Sequence, residues 1–269
     1  MIYLKNLKCT DNHVVIYSHG NASDLSDVYH YIEKLALLYN VSFLSYDYRG
    51  YGLSRFFKPS EASSYEDLEA MISFSFNFLG FELEKTLLWG YSLGSGPTVD
   101  IASRFQSIGG VILQSPLASI MCWIDNSKNW DFEYKQEDIF CNLNKIENIK
   151  AKIFLIHGRD DITIGVKHSL MLYDKYVKSK NDNNQIWLII ADGFGHNDLH
   201  EMLDEDKSVF AKKLKKFIRI VKFGNRLAMD KSDELTEKDA VDHEKEMKIF
   251  YKEKEEKGLA LNWDRIVMV

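Results

Sequence analysis

The sequence predicts an α/β fold, a mostly parallel sheet with helices on both faces, from three observations. Short apolar runs alternate with longer amphipathic stretches over residues 13–221. Runs such as Val111-Ile112-Leu113 and Ile153-Phe154-Leu155-Ile156 are apolar without alternation, as strands buried on two faces must be. The chemically distinctive residues fall in the loops after Ser18, Asp47, Gly90, Ser115, His157 and Ala191, the carboxyl ends where such sheets hold ligands.

Taken in order, residues 13–18 read as a strand that turns at His19-Gly20-Asn21 into a helix over 24–39, with Cys9 assigned to that first strand. The unit repeats as strand 41–47 and helix 65–79, strand 85–90 and helix 95–105, then strand 110–114. Pro59-Ser60-Glu61 reads as a turn into the second helix. An irregular, aromatic-rich segment over 117–150 is expected as an insertion. Alternation then resumes with strand 153–157, helix 166–177, strand 186–190 and one helix over 199–221. From residue 223 the chain is charged and weakly apolar. Its i,i+4 pairs, worth about 0.2–0.5 kcal/mol each, suit a solvent-facing helical extension. The expected organisation is a domain over 1–222, with a small cap at about 117–150, followed by the extension 223–269.

Composition narrows the function. Of 269 residues, 45% are hydrophobic and 28% charged, which excludes a disordered or low-complexity chain. A net charge of −6 with no basic cluster argues against nucleic acid as a partner. Three cysteines, Cys9, Cys122 and Cys141, lack metal-ligand spacing and suit a reducing compartment, so a cytoplasmic location and neither cofactor nor metal are expected. No apolar stretch approaches the roughly 18 residues that span a bilayer, and lysines interrupt any signal-like start.

The strongest signal is Gly90-Tyr91-Ser92-Leu93-Gly94, a G-x-S-x-G between a strand and a helix. Such a turn strains its central residue, and the flanking glycines keep side chains from colliding with strand and helix. Ser92 is therefore the expected nucleophile, with the Leu93 amide as an oxyanion donor at the positive end of the following helix. A serine needs a base. His196, in Gly193-Phe194-Gly195-His196, follows the last strand and is assigned that role, while His200 reads as a surface histidine. For the acid, His157-Gly158-Arg159-Asp160-Asp161 offers two carboxylates. The pattern H-G-x-x-D selects Asp161 and leaves Asp160 as a loop or cap residue; His157 reads as structural. The second oxyanion donor is expected from the backbone of Asn21, beside Gly20. The glycine-rich loop at 46–54 lacks a phosphate-binding frame, so Asp47 and Arg49 are expected to brace neighbouring turns.

With Ser18-His19-Gly20-Asn21-Ala22, Tyr46-Asp47-Tyr48, Gly50-Tyr51-Gly52, Pro59-Ser60-Glu61, Ser115-Pro116-Leu117 and Gly195-His196-Asn197-Asp198 added to these motifs, the sequence over residues 13–220 resembles the abhydrolase domain-containing protein 17 family. The resemblance implies an α/β-hydrolase fold and a serine hydrolase that removes long acyl chains from cysteine thioesters on membrane-associated proteins, with Ser92, Asp161 and His196 as its triad. It implies an acylated protein or lipid substrate and peripheral membrane contact. The family's N-terminal lipidated cysteine cluster is represented here by Cys9 alone, and the fold's earlier strands are expected to be missing. Triad chemistry is the same for thioesters and oxygen esters, so a lysophospholipase or general lipid esterase stays open, as does an inactive hydrolase-fold binding scaffold. Trp123, Trp130 and Phe140, in the aromatic stretch 121–140 with Phe132 and Tyr134, are the candidates for an acyl groove or for cap packing.

Overall fold

The structure, a computed structural model, describes residues 1–9, 11–124, 138–180 and 185–224. Trp130, Phe132, Tyr134 and the expected helical extension beyond residue 224 lie outside the described residues. In chain order the elements are β1 (Ile2–Leu4), β2 (Val14–Ser18), α1 (Leu25–Tyr39), β3 (Ser42–Ser45), α2 (Glu61–Asn77), β4 (Thr86–Tyr91), α3 (Ser95–Arg104), β5 (Gly110–Gln114), α4 (Ile120–Ile124), β6 (Lys152–Gly158), α5 (Lys167–Lys180), β7 (Ile186–Ala191), α6 (Leu199–Leu203) and α7 (Val209–Phe223).

The strands form one sheet in the order β1-β3-β2-β4-β5-β6-β7. Only β1 runs antiparallel, against β3; the other pairs are parallel. Register aligns the carboxyl ends, Ser18 opposite Gly90, Tyr91 opposite Gln114 and Gly158 opposite Ala191. The loops expected to carry chemistry therefore leave from one edge of the sheet.

Side chains alternate across the pleat, so each strand feeds two cores. Val15, Tyr17, Leu87, Trp89, Ile112 and Phe154 pack with residues of α1, α6 and α7. Val14, Ile16, Leu88, Val111, Leu113 and Leu155 pack with α2, α3 and α5 on the other face. This is the two-faced burial anticipated from the continuous apolar runs. Side-chain caps set the starts of α1 and α2. Asp24 accepts from the Ser26 amide, and Ser60 accepts from the Ser63 amide at 3.0 Å, so α2 begins at Glu61, earlier than the expected residue 65.

Three expectations are corrected. Ile2–Leu4 forms an edge strand that the lysine-interrupted start did not suggest, because three residues are too few to show periodicity. Cys9 lies outside the strands; its backbone N–H turns back to the Asn6 carbonyl. The expected helix 199–221 is broken between α6 and α7, where Ser208 caps the Phe210 amide at 3.2 Å and Asp204 pairs with Lys34 at 2.9 Å. A capping serine beside polar residues offers the backbone an alternative to helix continuation. Among the described residues no helix is long and apolar enough to cross a membrane.

Trp89 is fully buried against Tyr17, Tyr31, Tyr39 and Phe43. Trp89→Ala is expected to lower the unfolding free energy by about 3–5 kcal/mol, read as an earlier urea midpoint with an unchanged m-value.

Candidate active site

Ser92 stands at the tip of β4 with φ of +54°, in the left-handed region that a non-glycine residue adopts only when its surroundings hold it there. Those surroundings are the two flanking glycines. A Cβ on Gly94 would lie 2.1 Å from the Ser18 carbonyl oxygen, and one on Gly90 would lie 2.5 Å from the Gly94 carbonyl oxygen. Neither position admits a side chain, and α3 starts directly after the turn. Ser92 itself is buried apart from its face toward the cavity described below.

His196 comes from the loop after β7. Its position depends on the end of β6, since a Cβ on Gly158 would meet the Phe194 carbonyl oxygen at 2.2 Å. Asp198 accepts from the Gly195 amide at 2.7 Å and closes the turn. The Ser92 hydroxyl donates to His196 Nε2 at 3.0 Å, and His196 Nδ1 donates to Asp161 Oδ2 at 2.6 Å. Asp161 Oδ1 accepts from the Thr163 and Ile164 amides at 2.9 and 2.8 Å. The three side chains expected to act together are thus joined by two hydrogen bonds. In this order they form a chain able to draw a proton from a serine hydroxyl.

A second imidazole supports the acid from below. His157 is fully buried, and its Nε2 donates to the Ile164 carbonyl at 2.7 Å and lies 3.2 Å from Asp161 Oδ2. The Ser169 hydroxyl donates to its Nδ1 at 2.7 Å, fixing the tautomer. Burial alone would raise the Asp161 carboxyl, but the hydrogen bonds from His157 and His196 hold it well below the usual carboxylate range. The reading of His157 as structural missed this contact with the acid; its place at the head of H-G-x-x-D was the available signal.

Tyr91 ties the serine turn to the histidine loop. Its hydroxyl donates to Asn197 Oδ1 at 2.6 Å, and its ring lies 5.3 Å from that of His196. His200, expected at the surface, is half-buried. It packs edge-on against Tyr91 and Tyr31 at 4.3 and 4.6 Å and donates to the Asn197 carbonyl, and burial lowers its pKa. An i,i+4 spacing from His196 could not reveal that Tyr31, on α1, covers it.

A cavity of about 340 Å³ opens beside Ser92. Asn21 and Leu93, the expected oxyanion donors, line it with Ser92, as do Trp123 and Phe140. Trp130 lies outside the described residues. Phe140 is held by its N–H donating to Glu61 Oε1 at 2.7 Å and by its ring lying over Gly96, where a Cβ would come within 2.2 Å of Phe140 Cδ1. The loop after β3 also contributes, through Tyr48, Arg49 and Tyr51, which sequence reasoning left out of the site. Asp47 and Arg49 do brace it. Asp47 accepts from the Leu25 amide at 2.9 Å, and Arg49 pairs with Asp67 at 2.8 Å. Tyr51 reaches Asn21 Oδ1 at 2.7 Å, linking this loop to the one that carries the expected oxyanion amide. Among the described residues no cluster of His, Cys, Asp or Glu could hold a metal ion.

No protein-family profile matches the chain. Individual relatives do. Alpha/beta hydrolase domain-containing protein 17B of Homo sapiens is 33% identical over 216 residues, covering 79% of this chain and 69% of the relative. A putative alpha/beta hydrolase of Acanthamoeba polyphaga mimivirus is 35% identical over 187 residues, covering 69% and 67%. The chain belongs to the alpha/beta hydrolase domain-containing protein 17 family. It spans 69% of the human 17B relative and 60% of protein 17C of Mus musculus, to which it is 33% identical. Solved structures agree on the fold. A Pyrococcus furiosus esterase aligns with a TM-score of 0.60 at 20% identity over 81% of this chain and 84% of its own. A Paleococcus ferrophilus monoacylglycerol lipase aligns with a TM-score of 0.54 at 16% identity over 82% and 97%. The architecture is that of an α/β hydrolase.

Because the folded pKa of Asp161 is depressed, its contribution to stability is present above the unfolded carboxylate value near 3.9 and fades as the pH falls through the lower folded value. The melting-temperature gap between wild type and Asp161→Asn should be full near neutrality and narrow as the pH drops below about 4. A gap that stays constant through that range would contradict the arrangement.

Proposed function

We propose that this family member is a serine hydrolase of acyl esters, with Ser92 as nucleophile, His196 as general base and acid, and Asp161 as the group that orients and charge-stabilises the imidazole. The observation that carries the reading is the continuous Ser92–His196–Asp161 hydrogen-bonded chain at the wall of a largely apolar cavity. Ser92 Oγ attacks the acyl carbonyl while its proton passes to His196 Nε2. The Asn21 and Leu93 amides receive the oxyanion, and the tetrahedral species collapses as His196 protonates the leaving thiol or alcohol. Water, deprotonated by His196, then attacks the acyl-serine, releasing the carboxylic acid and restoring Ser92. Losing one amide donor typically costs about 3–4 kcal/mol of transition-state stabilisation, so the geometry of the Gly20-Asn21 turn matters to rate, though less than the base does.

Within that class the proposed reaction is protein S-depalmitoylation, at a cytoplasmic face and in contact with membranes. Two features support it: the match to the family's motifs along residues 13–220, and the apolar cavity lining that includes Pro97, Leu117, Ile120 and Phe140. An acyl chain lying there gains about 0.8 kcal/mol per buried methylene, up to about fourfold in kcat/KM per carbon.

Ser92→Ala is expected to abolish labelling by a fluorophosphonate probe, and Ser92→Ala and His196→Ala each to lower kcat by about 10⁴-fold or more. Labelling that persists in Ser92→Ala removes that residue from its role, and ester turnover equal in wild type and His196→Ala leaves only a binding scaffold. In a chain-length series of S-acyl peptides, kcat/KM should climb with length and then level off once the cavity is filled. Undetectable turnover of S-palmitoyl peptides alongside rapid cleavage of lysophospholipids or short oxygen esters would assign the enzyme to lipid esters instead.

A further inference from the structure

The loop between β3 and α2 carries Leu53-Ser54-Arg55-Phe56-Phe57-Lys58, whose large apolar side chains face solvent: Leu53 is 91% and Phe56 84% exposed, and Phe57 is exposed as well. A water-soluble surface does not normally concentrate three such residues in five positions. They cannot be spare core residues, because the loop is pinned at both ends. Gly50 donates to the Ser54 carbonyl, Phe57 donates back to the Ser54 carbonyl, and Gly50 lies so close to Pro59 that a Cβ would meet its ring at 2.8 Å. The residues that bound the loop, Tyr51 on one side and Pro59 and Ser60 on the other, line the cavity beside Ser92. The exposed apolar tip therefore projects from the cavity's rim.

Two neighbouring rim segments repeat the pattern. Trp123 and Ile139 line the cavity while remaining partly exposed, with Ile124 exposed beside them. Ile162, 96% exposed, sits between Asp161 and the cavity-lining Thr163, whose carbonyl accepts from Trp123 Nε1 at 2.7 Å.

Charge selects the occupant. Arg55 and Lys58 are exposed within the apolar loop, Arg55 lies over the Phe56 ring at 4.9 Å, and neither has a carboxylate partner among the described residues. The nearby acids are engaged elsewhere: Glu66 and Asp67 with Arg49, Glu61 with Tyr65 and the Phe140 amide. On a chain of net charge −6, a local pair of unpaired cations interleaved with Leu and Phe matches an anionic lipid interface, where rings enter the headgroup boundary and cations meet lipid phosphate and carboxylate.

We propose that residues 53–58 form a membrane-contact loop that seats the rim of the Ser92 cavity on an anionic bilayer surface. This rests on the acyl-hydrolase reading only for why the protein should be at a bilayer. Binding is measured without turnover.

The test is cosedimentation of the full chain with phosphatidylcholine vesicles containing phosphatidylserine, and with phosphatidylcholine vesicles alone. Wild type should sediment with the anionic vesicles, less so at high salt. Leu53→Ser/Phe56→Ser/Phe57→Ser should remain in the supernatant. Arg55→Gln/Lys58→Gln should bind about 25-fold more weakly, from roughly fivefold per cation near the surface. Both variants should hydrolyse p-nitrophenyl acetate as wild type does, which shows that they are folded. Ser92→Ala should bind vesicles as wild type does, so that loss of esterase activity and loss of membrane contact are separate results. The proposal is overturned if wild type stays in the supernatant, if either loop variant sediments as wild type does, or if vesicles of both compositions bind equally. It is equally overturned if the loop retains an S-acylated peptide while ignoring vesicles, which would make the patch a protein contact.

Discussion

The close approach of the β4 turn to the end of β2 is the constraint on which the rest depends. Gly94 lies against the Ser18 carbonyl, with no room for a methyl group, and Gly90 lies against the Gly94 carbonyl with no room for one either. Contact at that distance holds Ser92 in the left-handed region and brings its hydroxyl to the sheet edge where the β6 and β7 loops also end. The strain of that conformation, about 1–3 kcal/mol for such a residue, is offset by the buried β2, β4 and β5 strands on either side, whose core residues are fully removed from water. The stability of the sheet and the presentation of the serine are therefore one problem, solved by the same glycines.

Around that turn, the groups that hold the acid and the histidine are linked in series. Ser169 holds His157, His157 and two backbone amides hold Asp161, and Asp161 holds His196, which meets Ser92. Each link limits the motion of the next, and the low exposure of the acid strengthens the attraction that keeps the imidazole in place. Tyr91 and His200 form a separate brace on the histidine loop, built from ring packing and one short hydrogen bond. The proposed catalytic chemistry thus relies on two independent supports, one carboxylate-centred and one aromatic.

The cavity unites loops that contribute unequally to its chemistry. The β2 and β4 loops supply the proposed nucleophile and oxyanion donors, the β7 loop supplies the base, and the β3 loop and the segment around Phe140 contribute further lining. Trp123 and Ile139 line the cavity and face solvent as well, so apolar side chains stand at its mouth.

Much of this could be read in advance. Apolar runs without alternation announced a sheet buried on both faces, and G-x-S-x-G, H-G-x-x-D and the glycine-flanked His196 marked three loop ends, because each is a local pattern dictated by what a strand end or tight turn tolerates. Cap residues also act locally, yet the apolar periodicity on both sides of Ser208 reads as one helix. What lay beyond reach was every contact between elements distant in the chain. Ser92 and His196 are 104 positions apart, and Tyr31 covers His200 from a helix on the opposite side of the sequence. Residue types and spacings determined most of the strands and helices, the strained turn and the three candidate side chains. Only the tertiary structure decided that His157 underlies the acid, that Tyr91 and Asn197 clasp the histidine loop, and that Arg49 and Tyr51 reach the cavity. Those pairings arise from strand register and from helices closing over the sheet, which depend on the whole chain folding at once rather than on any one stretch of it.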